Sequence, residues 1–469
     1  MTAAALIATA LDRFGPKAVV TDQSDIEPWL TDWRGRWHGA TPAMLQPAST
    51  AEVAALVSLA AQHRVALVPQ GGNSGMVGGA TPPADGSALL ISLRRMNAIR
   101  SLSPATAVAE AGVILETLHD AAATIQRRFT LTLGARGSAT IGGLVSTNAG
   151  GTQVLRFGTM RSLVAGVEAV LPDGSIHDGL SGLKKDNRGY SIDQLLIGAE
   201  GTLGIITAAA LRLSPALTDR AVAWAAVGDP QAALDLLRRL EAQTGRIEGF
   251  EIVPRETLEL VLAHIPGTRA PLAGTHAWHL LIEATSTSPG EEPATALLER
   301  LLAAPLADGL IDDATISANE AQARAFWHLR DSISEAERGL GPALQHDISV
   351  PVDAMPRFMV EAAAAVERAF PGSHASGFGH LGDGNVHFHV RPPAVEKAGW
   401  IATHGTAASA LVHDLVVAAG GSISAEHGIG QMKKDELARL GPSSRLHALH
   451  AIKAAFDPLG IMNPGKLVD

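Results

Sequence analysis

Three glycine-dense segments in the first half of the chain restrict its fold more than any other feature. They are Gln70-Gly-Gly-Asn-Ser-Gly-Met-Val-Gly-Gly79, then Gly134-Ala-Arg-Gly-Ser-Ala-Thr-Ile-Gly-Gly143 continuing through Asn148-Ala-Gly-Gly151, and Ile197-Gly-Ala-Glu-Gly-Thr-Leu-Gly-Ile-Ile-Thr207. Ordered glycine loses more backbone freedom than any other residue, so such clusters mark places where the chain turns tightly or lies against a ligand. The first follows residues 65–69, Val-Ala-Leu-Val-Pro, which read as a strand. A glycine-rich turn after a strand presents successive N–H groups that suit a phosphate or pyrophosphate. A tight connection without a ligand accounts for one loop of this kind; three within the length of one domain point to a bound cofactor. No G-x-G-x-x-G follows an expected strand, and the G-x-x-x-x-G-K-[ST] and G-x-S-x-G patterns are missing, which removes the sequence support for nicotinamide, nucleotide-hydrolysing and α/β-hydrolase folds.

Around these segments the chain alternates helix and strand. Residues 49–63 read as a helix opened by a Ser49/Glu52 capping box, with Val53, Leu56, Val57 and Leu59 on its apolar face. Strands are expected at 88–93, 107–111 and 164–171, a helix at 114–125, and a turn at Pro172-Asp-Gly174. After Pro215 the texture changes to Ala/Leu-rich helices and short strands such as 278–282, which indicates a second α+β domain. From Gly377 the chain is again punctuated by glycine and bears histidine. At 469 residues, two or three domains are expected. We divide the chain into an N-terminal helical segment (1–40), a cofactor domain (41–216), a substrate or cap domain (217–425) and a C-terminal segment that packs back on the cofactor domain (426–469).

Composition removes several function classes. The 37 Lys+Arg against 47 Asp+Glu give a net charge of −10, with no basic run, so nucleic acid is not an expected partner. No apolar stretch is long enough to span a membrane. The Ala-rich start has no Lys or Arg ahead of it to act as a signal peptide, and a cytoplasmic location is expected. With 0 cysteines, any metal must sit on His, Asp and Glu.

One such cluster is visible. In Phe378-Gly-His-Leu-Gly-Asp-Gly-Asn-Val-His-Phe-His-Val390 the Gly382-Asp-Gly384-Asn stretch signals a hairpin-like reversal that returns the chain past His380. His387 and His389 then share one strand face, with Val386, Phe388 and Val390 on the other. Downstream, Ser424-Ala-Glu-His-Gly-Ile-Gly430 offers a carboxylate and another imidazole. A lone histidine among the 18 is more often a satisfied core or surface residue; a cluster on one turn points to a metal or proton-transfer site. In Phe326-Trp-His-Leu-Arg-Asp-Ser-Ile-Ser334 the spacing predicts a helix with Arg330 and Ser334 on one face.

Pro69-Gln-Gly-Gly-Asn-Ser-Gly75, Ser146-Thr-Asn-Ala-Gly-Gly151, Lys185-Asp-Asn-Arg-Gly-Tyr190, Gly198-Ala-Glu-Gly-Thr-Leu-Gly204 and Asn463-Pro-Gly-Lys466, in this order, resemble the FAD-linked oxidase family. The branch they resemble most holds D-2-hydroxyglutarate and D-lactate dehydrogenases. The resemblance implies an α+β fold: a two-subdomain FAD-binding domain of the vanillyl-alcohol-oxidase type and an α+β substrate domain. By resemblance, Pro69, Gly71, Gly72, Asn73, Ser74 and Gly75 surround the FAD pyrophosphate. Ser138, Thr140, Gly142 and Gly143, then Asn148, Gly150 and Gly151, then Glu200, Gly201, Gly204 and Ile206, with Asn463, would line the rest of the cofactor. Some relatives attach flavin through a histidine in the first loop or through a cysteine; Asn73 and the lack of cysteine imply non-covalent FAD.

The same resemblance implies a divalent metal, zinc by preference, on His380, His387 and Glu426, with His427 as general base and Arg330 and Ser334 gripping the substrate. A metal held by two imidazoles and a carboxylate keeps positions open for substrate oxygens, lowering the hydroxyl pKa while hydride leaves for flavin. Two positions depart from the D-2-hydroxyglutarate type: Gln345 stands for a lysine and His389 for an asparagine, which puts the substrate tail in question. The implied activity is oxidation of a D-2-hydroxy acid to the 2-oxo acid. The alternatives are a D-lactate or glycolate type with another substrate tail, and a flavin-binding protein without turnover. Implied partners are the small-molecule acid, an electron acceptor such as electron-transfer flavoprotein or a quinone, and a second copy of the chain in a homodimer.

Overall fold

The computed structural model describes residues 2–394 and 397–468. Two compact units emerge: Met1–Gly151, Gly158–Ala216 and Glu426–Asp469 form the first, Thr152–Phe157 and Leu217–Ala425 the second.

The first unit contains β1 (Val19–Val20), β2 (Met44–Leu45), β3 (Ala66–Gln70), β4 (Ala88–Ser92), β5 (Ile99–Leu102), β6 (Thr106–Glu110), β7 (Arg127–Arg128), β8 (Val164–Val170), β9 (Ile176–Asp178), β10 (Ile205–Arg212) and β11 (Ser214–Pro215). One sheet has the order β1-β2-β4-β3, with β2, β4 and β3 parallel. All five residues of β4 are buried, as expected for a parallel strand covered on both faces. Helix Thr50–His63 lays Val53, Leu56, Val57 and Ala60 into this core. The Ser49 hydroxyl caps it by accepting the Glu52 N–H at 3.2 Å. Glu52 reaches back to the Ala48 N–H at 2.8 Å, one residue before the usual partner in such a box. The second sheet, β5-β6-β10-β8-β9, is antiparallel, and β7 pairs with β11. Late in the chain, residues 461–463 return to β3: the Leu67 N–H donates to Ile461 O and the Asn463 N–H to Leu67 O, both at 2.8 Å.

The middle glycine segment is not all loop. Residues Ile141–Thr147 form a helix, so Gly142 and Gly143 are helical. The reason is packing: a Cβ on Gly142 would lie 2.6 Å from Ala111 Cβ, so only glycine lets this helix lie against that segment.

The second unit is built on one antiparallel seven-stranded sheet with strands β12 (Asp219–Val227), β13 (Ile247–Pro254), β14 (Trp278–Ser286), β15 (Asp313–Ile316), β16 (Leu344–Ser349), β17 (His374–His380) and β18 (Asn385–Arg391). Their order is β15-β12-β14-β13-β17-β18-β16. The residues on either side of the Gly382–Gly384 turn therefore supply two inner strands of this sheet. One face, with Ala223, Phe250, Ile252, Ile282, Val386 and Phe388, is covered by helices Pro230–Glu241, Ala294–Ala307, Met355–Ala369 and Lys397–Ala418. On the other, Trp224, Val253, Leu281 and Phe378 pack against helices Arg255–His264, Glu320–Asp331 and Ile333–Arg338. Among the described residues no helix is long and apolar enough to cross a membrane.

Candidate active site

In the second unit, the site begins with the β17–β18 hairpin that the glycine-rich turn predicted. The Asp383 and Gly384 N–H groups both donate to His380 O, and Gly384 takes φ +80°, a conformation open to glycine. The register pairs His380 with Asn385, Phe378 with His387 and Ser376 with His389. His380 and His387 are thus diagonal neighbours on one sheet face, their ring centroids 5.4 Å apart. On β16, Asp347 lies opposite His387 and Gln345 opposite His389.

β13 adds a residue that sequence reasoning missed. Glu251 pairs with His380 in register and is fully buried. Its Oε1 lies 2.6 Å from His380 Nδ1 and its Oε2 accepts from Arg330 Nε at 2.8 Å. A carboxylate only accepts, so His380 carries its proton on Nδ1 and directs Nε2 away from Glu251. Burial pushes the Glu251 pKa up, but the charges and hydrogen bonds of His380 and Arg330 outweigh it and hold the group below its ordinary value. Arg330 keeps a buried Nη2 without a hydrogen-bond partner and sits 5.1 Å from the Phe378 ring centroid. An unpaired, buried guanidinium N–H edge suits a ligand carboxylate. In the turn, burial raises Asp383 to about 6, with His380 pulling against this and Glu251 and Asp347 adding to it.

The helix expected across residues 326–334 is broken. Glu320–Asp331 ends at Ser332, and Ile333–Arg338 begins anew with the Ser332 carbonyl taking the N–H groups of Glu335 and Ala336. Arg330 is buried and Ser334 exposed, so the two do not share a face. The second helix instead supplies Glu337, another residue without a sequence signal. Its Oε2 is 2.6 Å from His389 Nδ1, close but not aligned as a hydrogen bond, and its Oε1 accepts from Arg391 Nη2 at 2.5 Å.

In the first unit the glycine segments converge. A Cβ on Gly71 would fall 2.1 Å from Thr140 Oγ1, and one on Gly72 would fall 1.9 Å from Ser138 O. Asn73 has φ +53° and donates to Thr31 O, while Ser74 and Gly75 continue the loop, with no atom within 4 Å of a Cβ built on Gly75. Gly201, at φ +75°, lies against Pro69. Asn148 caps helix Ile141–Thr147 and accepts from Thr159 Oγ1 and the Arg161 N–H; after Gly150, Gly151 lies against Thr132 O. Gly204 leads into β10, which carries Ile206. Asn463 donates to Gly79 O and Glu200 O. Thr140 Oγ1, Gln70 Oε1 and Asn463 Oδ1 are buried without partners. Such groups are costly unless a ligand or water completes them. A cavity of about 330 Å³, lined in part by Arg94, Gly112, Ser138 and Thr140, opens here. Closely apposed glycine loops and orphaned polar atoms fit a bound dinucleotide cofactor.

The Glu200 side chain has another use. Its two oxygens accept the N–H groups of Ile429 and Gly430, each at 2.7 Å. Burial raises its pKa, against these two donors and the Lys433 charge. Glu200 therefore fixes the loop that carries Glu426 and His427. In the second unit, the Ala425 N–H donates to Asp347 O at 3.4 Å.

Comparison with known proteins identifies two domain models: "FAD linked oxidases, C-terminal domain" over residues 217–467, and "FAD binding domain" over 41–179. The chain is 36% identical over 464 residues to the mitochondrial D-2-hydroxyglutarate dehydrogenase of Bos taurus, covering 98% of this chain and 82% of the relative. It is 36% identical over 452 residues to the D-2-hydroxyglutarate dehydrogenase of Xanthomonas citri pv. viticola, covering 96% and 94%. Among solved structures, p-cresol methylhydroxylase with substrate bound superposes with TM-score 0.76 at 17% identity, covering 99% of this chain and 97% of that one. Alkyldihydroxyacetonephosphate synthase gives TM-score 0.74 at 18% identity, covering 98% and 84%. These two likenesses establish the fold, with an FAD-binding domain of the p-cresol methylhydroxylase type.

Proposed function

The chain belongs to the FAD-linked oxidase family and is an FAD-dependent hydroxyacid dehydrogenase, and from that premise we propose that it oxidises a D-2-hydroxy acid of the D-2-hydroxyglutarate kind in a metal-assisted reaction. The observation that carries this reading is the buried, unpaired Nη2 of Arg330, joined through Glu251 to the His380 imidazole on a three-histidine face. The loop Gly71–Gly75, Thr140 and Asn463 would hold FAD without a covalent bond; His380, His387 and Glu426 would hold the ion. When bound, FAD supplies a hydride acceptor and the divalent ion a Lewis acid that acidifies the substrate hydroxyl. Arg330 binds the substrate carboxylate through its unpaired Nη2 N–H edge and so fixes which face of C2 is presented. His427 takes the hydroxyl proton, on a loop that Glu200 keeps in place. An acceptor such as electron-transfer flavoprotein or a quinone completes the cycle.

A second reading concerns the substrate tail. Gln345 faces His389 across the β16–β18 pair, and the Glu337 carboxylate already lies 2.6 Å from His389 Nδ1. A second carboxylate would meet a neutral amide and an imidazole that already has a carboxylate beside it, which favours a shorter or uncharged tail, as in D-lactate.

Anaerobic mixing of the flavin-loaded protein with D- and L-2-hydroxy acids of varied tail tests both. A D-acid is expected to bleach the flavin absorbance, with chelation preventing this and zinc restoring it. Bleaching by L-acids alone, or bleaching that survives chelation, overturns the reading.

A further inference from the structure

We propose that Glu251 is a positioning residue that anchors His380 and Arg330 together, so that one buried carboxylate sets both the metal-facing nitrogen and the carboxylate-binding N–H edge. The inference rests on the function proposed above and goes beyond it by naming the group that makes the two binding elements a single unit.

Glu251 divides its two oxygens between two partners from different elements: Oε1 to His380 on β17 and Oε2 to Arg330 on helix Glu320–Asp331. It stands within β13, between β14 and β17, where both neighbouring strands hold its backbone. A fully buried carboxylate is tolerated only when both oxygens are matched, and here each is met by a donor of opposite or convertible charge. Fixing the proton on His380 Nδ1 orients the ring and makes Nε2 the more basic ligand, as the outer partners of metal-binding histidines do. Occupying Arg330 Nε leaves the terminal N–H edge as the part that can meet a substrate, and the Phe378 ring limits how the guanidinium can turn. The same triad could serve as a structural ion cluster alone, and the two roles differ in what a neutral replacement does to the metal.

The test titrates zinc against a chromophoric chelator in flavin-loaded wild type, Glu251→Gln and Arg330→Gln, with steady-state kinetics alongside. Glu251→Gln is expected to weaken zinc by about ten- to a hundredfold and to raise KM, whereas Arg330→Gln is expected to raise KM with zinc affinity unchanged. If Glu251→Gln does not accumulate as folded flavoprotein, the double variant Glu251→Gln, Arg330→Gln removes the buried charge pair together, and its zinc affinity is compared with Arg330→Gln alone; the same weakening is expected. Unchanged zinc affinity in Glu251→Gln, or in the double variant, overturns the inference and leaves the metal-site reading standing. A wild-type protein that takes up no zinc overturns that reading itself, and the inference with it.

Discussion

Single side chains do most of their work here by holding other groups in place. Glu200 gives both oxygens to backbone N–H groups two and three residues beyond His427. Replacing it with Gln leaves one of those buried donors without an acceptor, at a cost of about 1–3 kcal/mol. The Glu200→Gln variant should therefore unfold at lower urea and lose more in kcat than in KM; a purely structural role would lower stability and leave kcat per folded molecule untouched. The histidines of the hairpin were legible in the sequence because they and the turn signal lie within a dozen residues. Glu251 was not, because 129 residues separate it from His380 and its meaning arises only when β13 and β17 become neighbours. In Ile-Glu-Gly-Phe-Glu-Ile252 it reads as an ordinary polar residue of a strand. Glu337 escaped notice for the same reason.

At the scale of elements, local signals marked strands, turns and caps well and misjudged glycine. Gly142 and Gly143 look like more of the loop that precedes them, and only contact with Ala111 explains why glycine is needed inside a helix. Gly142→Ala should gain roughly 1 kcal/mol of helix propensity and lose about 1–3 kcal/mol through overpacking. A lower urea midpoint with an unchanged slope is the expected result, and a higher midpoint would show that the Ala111 segment yields. Likewise, spacing could not reveal the break at Ser332, since nothing in the residue types there forbids a continuous helix. That break turns Glu337 toward His389 and removes Ser334 from the Arg330 face.

At the scale of the whole molecule, a buried histidine couples stability to acid. In the second unit, His279 accepts a hydrogen bond from Trp224 Nε1 on the face opposite the long helices, and burial, reinforced by His276, lowers its pKa from 6.5 to about 4. The unfolded chain takes up this proton below 6.5 while the folded one refuses it until about 4, so stability is complete above 6.5 and falls through that window as pH drops. His279→Asn keeps an acceptor for the indole and removes the titration; its Tm should fall less than that of wild type between about pH 7 and pH 5, and parallel curves would show that His279 is not responsible. The first unit has a different peculiarity, in the pairing of residues 461–463 with β3. All of the second unit is translated between those two partners. A ribosome therefore releases the second unit's complete sheet while the first still lacks the segment that closes its parallel edge. During synthesis β3 stays an open template of unpaired N–H and C=O groups for any passing strand. The order of translation makes the cofactor half the last to mature and the half in greater need of a chaperone.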